Sequence, residues 1–314
     1  MTPLSINDIE QHANKTKTIL QEVELPGLPS HPKVYLKRED LIHHEISGNK
    51  WHKLKYNLIE ASSQGWKTIL TFGGAYSNHI HAVASAGRIF GFNTIGIIRG
   101  EEHFPLNPTL GHAVKCGMKL IYLDRTTYRK RNEPEFQNEL KEKFGNVYVV
   151  PEGGTNELAV KGASEIMTDI DIDYNYICTA VGTGGTLSGL ICGANGKGNV
   201  LGFSILKGGG FLVNEVEGHV KNYSSNGFSN WKINLDYHFG GYAKINSELV
   251  KFIHDFESLN GIPLDPIYTG KMLFGIYDLI KEGRFDKDDV IVAIHTGGLQ
   301  GVEGMREKME RHLL

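Results

Sequence analysis

Four segments carry residue types that chemistry can use. The first, Val181–Leu190, reads VGTGGTLSGL. Apolar residues lead in, glycines follow, and Thr186 opens a helical pattern. Small residues let backbone N–H groups approach an anion, the helix start adds a positive dipole end, and threonine hydroxyls add donors. Gly182, Thr183, Gly184, Gly185 and Thr186 therefore read as a phosphate cradle, with an unliganded strand-to-helix turn as the alternative. The stretch lacks the G-K-[ST] ending of a nucleotide loop. Leu187 stands where a dinucleotide fingerprint needs its third glycine, so neither ligand is favoured. The second segment, Leu36–Tyr56, reads LKREDLIHHEISGNKWHKLKY. Lys50 follows a small-residue turn and starts a helix with Leu54 and Leu58 on one face. A lysine there can enter a cleft and become a nucleophile when desolvation lowers its pKa. Lys53 and Lys55 compete for that role.

The third segment, Phe72–His81, reads FGGAYSNHIH. A strand ends in two glycines and a helix begins at Ser77 or Asn78. The free N–H groups and the Ser77 hydroxyl suit a substrate carboxylate, and Ser77 also suits a helix N-cap. The fourth comprises Pro266–Lys271 (PIYTGK) and Val292–Gly301 (VAIHTGGLQG). It offers Tyr268 as an acid/base group or a packed ring, and Thr296 as a polar contact at a strand end. No metal is expected. His79 and His81 diverge on a helix, and the His43-His44 pair has no acidic cluster at ligand spacing.

These residues need a scaffold, and the sequence supplies alternating elements. Strands are expected at 68–72, 94–98, 119–123, 147–150, 176–181, 201–206 and 289–295. Helices are expected at 50–64, 77–90, 108–116, 133–144, 157–169, 186–194, 248–259 and 270–282. The polar run 222–230 reads as a surface loop. Such alternation implies a mostly parallel sheet covered on both faces, with ligands outside the carboxyl ends of the strands. Glycine, 38 of 314 residues, clusters at those ends. The triple Gly208–Gly210 has no chemical role in this reading.

Composition narrows the function. Thirty-three basic and 36 acidic residues leave a net charge of −3, which gives no bulk footprint for nucleic acid or an anionic membrane. Three cysteines without a C-x-x-C argue against a disulfide framework and fit a cytoplasmic protein. The N-terminal stretch is polar and lacks a signal-type apolar core. The uncharged run 174–196 is glycine-rich and reads as strand, loop and helix, not as a membrane span.

Six pieces then stand in order: KRED at 37–40, GNK at 48–50, YSN at 76–78, GTGGT at 182–186, IYTGK at 267–271 and HTGG at 295–298. Together they resemble the D-cysteine desulfhydrase and 1-aminocyclopropane-1-carboxylate deaminase family, pyridoxal-phosphate enzymes of the tryptophan-synthase-β-like fold (fold type II). The resemblance implies an α/β fold of two lobes, with mostly parallel twisted sheets covered by helices. It implies a large cofactor-binding domain, 1–46 plus 158–314, and a small domain, 47–157. Lys50 would join the cofactor aldehyde, Asn78 would bond the ring oxygen, and the 182–186 turn would hold the phosphate. Thr296 would stand near the pyridine nitrogen. Ser77, Asn78, His79, Tyr242, Tyr268 and Thr269 would face a small amino-acid substrate, with Lys50, Ser77 and Tyr268 catalytic. A homodimer is usual in the family.

The deaminases carry Glu and Leu where this sequence has Thr269 and Thr296, which points to the desulfhydrase branch. Ser47 and His52 replace a common glycine and arginine. The implied reaction is α,β-elimination, D-cysteine to pyruvate, sulfide and ammonia. The alternatives are ring opening of the cyclopropane substrate, another lyase or racemase acting on, for example, D-serine, and a non-catalytic phosphate-binding module.

Overall fold

A computed structural model describes residues 4–15, 18–29 and 32–313. The N-terminal polar stretch read above lies partly outside these residues. The strands are β1 (Leu20–Val23), β2 (Lys33–Lys37), β3 (Thr68–Gly74), β4 (Asn93–Arg99), β5 (Lys119–Leu123), β6 (Tyr148–Val150), β7 (Tyr176–Val181), β8 (Asn199–Ser204), β9 (Trp231–Asn234) and β10 (Val290–Ile294). The helices are α1 (Ile6–Glu10), α2 (Asn49–Ser63), α3 (Asn78–Phe90), α4 (Pro108–Lys115), α5 (Arg125–Arg129), α6 (Pro134–Phe144), α7 (Glu157–Ser164), α8 (Gly185–Ala194), α9 (Leu212–Tyr223), α10 (Ser247–Asn260), α11 (Thr269–Lys281) and α12 (Arg306–Leu313). None is long and apolar enough to cross a membrane.

Two sheets result. One has the order β1-β2-β10-β7-β8-β9, and the other β5-β4-β3-β6. All pairings are parallel except β1 with β2. Strand alternation shows why both faces must be covered. In β10, Ile291 and Ala293 join one buried cluster with Leu249, Ile253 and Leu273 of α10 and α11. Val292 and Ile294 point the other way, to Leu187, Leu190 and Val216 of α8 and α9. A strand apolar on both faces is stable only between two helical layers, and each buried Ile or Leu contributes about 1.5–3 kcal/mol. The smaller sheet repeats the pattern. Ile69 and Ile98 face α2 and α3, while Leu70, Phe72 and Ile97 face Tyr128, Phe136 and Leu140 of α5 and α6.

Several boundaries differ from the sequence reading. Strands β1, β2 and β9 and helices α1, α5, α9 and α12 were not expected. Strands β1 and β9 are four residues long with one and no buried residue, so they carry little apolar pattern, whereas the five-residue β2 does alternate, with Val34 and Leu36 buried. Asn222 and Tyr223 belong to α9, not to the loop. The 157–169 helix changes to a 3-10 turn at Glu165. The triple Gly208–Gly210 gains a structural role: it opens α9 through a single tight turn, with Gly208 left-handed at φ 73°.

Helix α7 lies between α2 and α8 and ties the helix that carries Lys50 to the helix behind the glycine turn. The contact is possible because residue 162 has no side chain. A Cβ there would fall 1.8 Å from the backbone oxygen of His52. Gly162→Ala is therefore expected to lower stability by about 1–3 kcal/mol, read as a reduced urea midpoint at unchanged m-value.

Candidate active site

The carboxyl ends of both sheets open on one cavity of about 610 Å³. Lys50, Ser77, Asn78, His79, Gly182 to Thr186, Tyr242, Tyr268 and Thr296 all line it. Thr269 does not. It is fully buried at the start of α11, where its hydroxyl donates to Asp265 Oδ2 at 2.6 Å.

Lys50 owes its place to a backbone junction. Gly48 is left-handed at φ 64°, and a Cβ there would lie 1.9 Å from the carbonyl oxygen of Thr296. Asn49 N–H donates to that oxygen at 3.3 Å. The Asn49 side chain bonds Thr186 Oγ1 at 2.8 Å and accepts from Lys50 Nζ at 3.3 Å. Burial pushes the Lys50 ammonium down to about 8, because removing a cation from water favours the neutral amine. The KRED residues brace the junction. Arg38 forks onto Asp40 at 2.9 and 2.8 Å, Glu39 Oε2 meets His52 Nε2 at 2.8 Å, and Asp40 Oδ1 lies 3.6 Å from His295 Nδ1. The unusual His52 is thus the partner of a buried glutamate.

One helical turn on, Lys53 is buried and donates to Thr155 Oγ1 at 2.9 Å, which shares a proton with Thr183 Oγ1 at 2.7 Å. A Cβ at Gly185 would fall 2.9 Å from Lys53 Nζ. Burial, and then the charge of Lys50, push Lys53 well below its usual range. A buried ammonium, two hydroxyls and the first turn of α8, around a space that any side chain at 185 would fill, form the donor set of a phosphate.

Helix α3 begins at the opposite wall. Ser77 caps it, its Oγ accepting from Ile80 N–H at 3.3 Å. His79 has a fixed tautomer. The Thr71 hydroxyl donates its one proton to Val150 O at 2.8 Å, so toward His79 Nε2, at 2.7 Å, it accepts. Nε2 therefore carries the ring proton, and Nδ1 keeps a bare, buried lone pair. Burial first, then Lys50 and Lys53, hold this imidazole well below its ordinary range. His81 turns away and stacks on His112 at 3.8 Å. Nearby, Glu45, His112 and Cys116 gather within 4.8 Å, an acidic neighbour that the histidine spacing did not reveal. Arg88 ion-pairs the Glu45 carboxylate there.

The fourth wall is Tyr268. Asp265 accepts from the N–H groups of Ile267, Tyr268 and Thr269 at 2.7–2.9 Å and shapes their turn. Lys271 donates to His238 O and Gly241 O, both at 2.8 Å, which sets Tyr242 edge-on to Tyr268 at 6.2 Å. Burial, and then Tyr242 and Asp265, raise the Tyr268 phenol well above its usual value. It is a hydrogen-bond donor and acid at neutral pH, not a ready base. Sequence reasoning missed Asp265 and the cavity residues Arg99, Arg131, Glu152 and Thr155. They lie in no recognisable motif and reach the cavity only through the strand order.

A half-buried lysine facing a glycine phosphate turn, between two parallel sheets, defines a pyridoxal-phosphate enzyme of fold type II. The chain belongs to the pyridoxal-phosphate dependent enzyme family, whose model matches residues 9–297, and pyridoxal phosphate is the cofactor of this family. A bifunctional D-cysteine desulfhydrase/1-aminocyclopropane-1-carboxylate deaminase of Arabidopsis thaliana mitochondria is 31% identical over 315 residues, covering 93% of this chain and 79% of its own. A Pyrococcus abyssi protein, provisionally named 1-aminocyclopropane-1-carboxylate deaminase, is 32% identical over 294 residues, covering 88% and 87%. Among solved structures, an ACC deaminase homologue superposes with a TM-score of 0.82 at 29% identity over 94% of both chains. A threonine deaminase isoform of Solanum lycopersicum shares the fold, with a TM-score of 0.66 at 16% identity over 99% of this chain and 90% of its own.

Two outcomes are expected. In ¹⁵N NMR of the cofactor-free protein, His79 shows the Nε2–H tautomer and takes up a proton only well below the ordinary histidine range, because burial and the charges of Lys50 and Lys53 oppose the imidazolium. Borohydride-trapped uptake of pyridoxal phosphate by the same protein speeds up about tenfold above pH 7 and levels off past about pH 9, because the amine loses its proton near 8 and not near its ordinary 10.5. Lys50→Ala gives no trapped adduct.

Proposed function

We propose that the protein catalyses α,β-elimination from a small amino acid, D-cysteine plus water giving pyruvate, hydrogen sulfide and ammonia. The observation that carries this reading is Thr296. This residue, with a neutral hydroxyl in its side chain, lines the cavity beside the Lys50 junction, where a carboxylate would hold a proton on the cofactor's ring nitrogen. An unprotonated ring favours prompt loss of a β-leaving group. Pyridoxal phosphate, when bound, supplies the electron sink for the substrate's α-carbon.

The chain's own residues do the rest. Lys53, Thr155, Thr183 and the 184–186 amides hold the phosphate, and Asn78 holds the ring oxygen. Ser77 and the α3 amides orient the substrate carboxylate. Lys50 Nζ takes the α-proton, since its lowered pKa keeps a useful fraction neutral at physiological pH. Tyr268 Oη, kept protonated by burial, donates toward the departing group. Residues 47–157 act as the small domain carrying the carboxylate site, and 1–46 with 158–314 as the large one.

Ring opening of 1-aminocyclopropane-1-carboxylate is the second reading, favoured by the names of the relatives above. Purified holoenzyme is expected to release sulfide and pyruvate from D-cysteine at least tenfold faster than it releases 2-oxobutyrate from the cyclopropane substrate. The reverse ratio would establish the second reading, and neither product would remove both.

A further inference from the structure

We infer that the cavity contains a second anion subsite, centred on Arg99, that reads the far end of the substrate's side chain. The inference rests on the lyase reading and adds a substrate class, amino acids whose β-substituent is negatively charged. It begins with the charges that line the cavity, Lys50, Lys53, Arg99 and Arg131 against Glu152 and Glu215. Lys53 belongs to the phosphate turn. Arg131 is spent on Glu152, Nε to Oε2 at 2.7 Å, and the other oxygen of Glu152 accepts from Tyr128 at 2.9 Å. Glu215 lies one helical turn from His219 on α9. Arg99, an exposed residue, is the one of these four cations with no polar partner: among the described residues it makes no ion pair and no side-chain hydrogen bond, whereas Lys50 has Asn49 and Lys53 has Thr155. The Arg99 guanidinium carbon lies over the Tyr128 ring, 5.8 Å from the ring centre.

Strand register explains how this side chain reaches the cavity. Arg99 ends β4 and pairs in register with Gly74 at the end of β3. Neighbouring residues in register project to the same face of a sheet. Gly74 projects nothing, and Arg99 Nη2 lies 3.4 Å from where its Cβ would be. The guanidinium is therefore laid beside Gly74, at the start of the turn that leads to Ser77. Its charge also reaches Tyr242, on the substrate side. A guanidinium resting on an aromatic face, with its fork free, matches a carboxylate or sulfonate in two parallel hydrogen bonds. The α-carboxylate is already served by Ser77 and the α3 amides, so the group that meets Arg99 is one carried on Cβ.

Calorimetry on holoenzyme with alanine and aspartate, in both enantiomers, isolates the subsite, because the pair differs only by a carboxylate on Cβ. Wild-type protein is expected to bind aspartate more tightly than alanine. Arg99→Met is expected to weaken aspartate by about tenfold or more while alanine affinity stays within about twofold, and Arg99→Lys to fall between. Equal loss for both ligands would place Arg99 on the α-carboxylate and overturn the inference, as would no preference for aspartate in the wild type. The lyase reading fails separately, if wild-type holoenzyme releases no sulfide from D-cysteine.

Discussion

The molecule depends on one backbone contact, Gly48 against the carbonyl of Thr296. It joins the loop after β10 of the larger sheet to the turn that starts α2, the helix leading into β3 of the smaller sheet. Both sides of the cavity are referenced to it. Lys50 is two residues past Gly48, and Thr296 is itself a lining residue. The contact is rigid because its surroundings are polar and buried. Lys37, Arg38, Glu39 and Asp40 are each less than 9% exposed, and buried charges persist only when paired. Burial alone would raise the Glu39 carboxyl, but His52 and Lys37 outweigh it and hold it low. Removing one member of this set strands another, so the network fixes the register of α2 more firmly than apolar packing would.

The same burial that makes those charges pair makes the cavity reactive. Lys50, Lys53, His79 and Tyr268 are among the cavity groups moved from their usual ranges, and in each the largest cause is loss of water. Lys50, Lys53 and His79 are shifted toward neutrality as bases, and Tyr268 as an acid. A dianion held at the α8 turn would reverse the direction for Lys53, since an adjacent negative charge favours the ammonium. Lys50, whose amine faces Asn49, has no such partner. Two lysines three residues apart on one helix are thus given different chemistry by what each faces.

The parts of the site legible in the sequence were those that local backbone geometry dictates. A glycine-rich strand-to-helix turn, a serine at a helix start and a lysine after a small-residue turn each announce their geometry within a few residues. The paired apolar strands β7 and β10 were legible for the same reason. What was hidden depends on strand order. Arg99 and Gly74 are 25 positions apart and become neighbours only because β3 and β4 pair in register. Arg131 and Glu152 meet across Tyr128. Strand β9 lies at a sheet edge with no buried residue, so no apolar alternation marked it.

The IYTGK segment shows how a motif can be read correctly as a unit and unevenly by residue. Tyr268 lines the cavity, but Thr269 and Lys271 serve the frame. Thr269 adds a fourth hydrogen bond to the Asp265 carboxylate, and Lys271 anchors the loop that carries Tyr242. A glutamate at 269 would set a second carboxylate against a buried one, which is tolerated only if a proton or a cation comes with it. The identity of residue 269 therefore sets the charge balance behind Tyr268, although residue 269 does not itself line the cavity. In this chain that balance is a neutral hydroxyl donating to Asp265, which adds no second carboxylate behind the phenol.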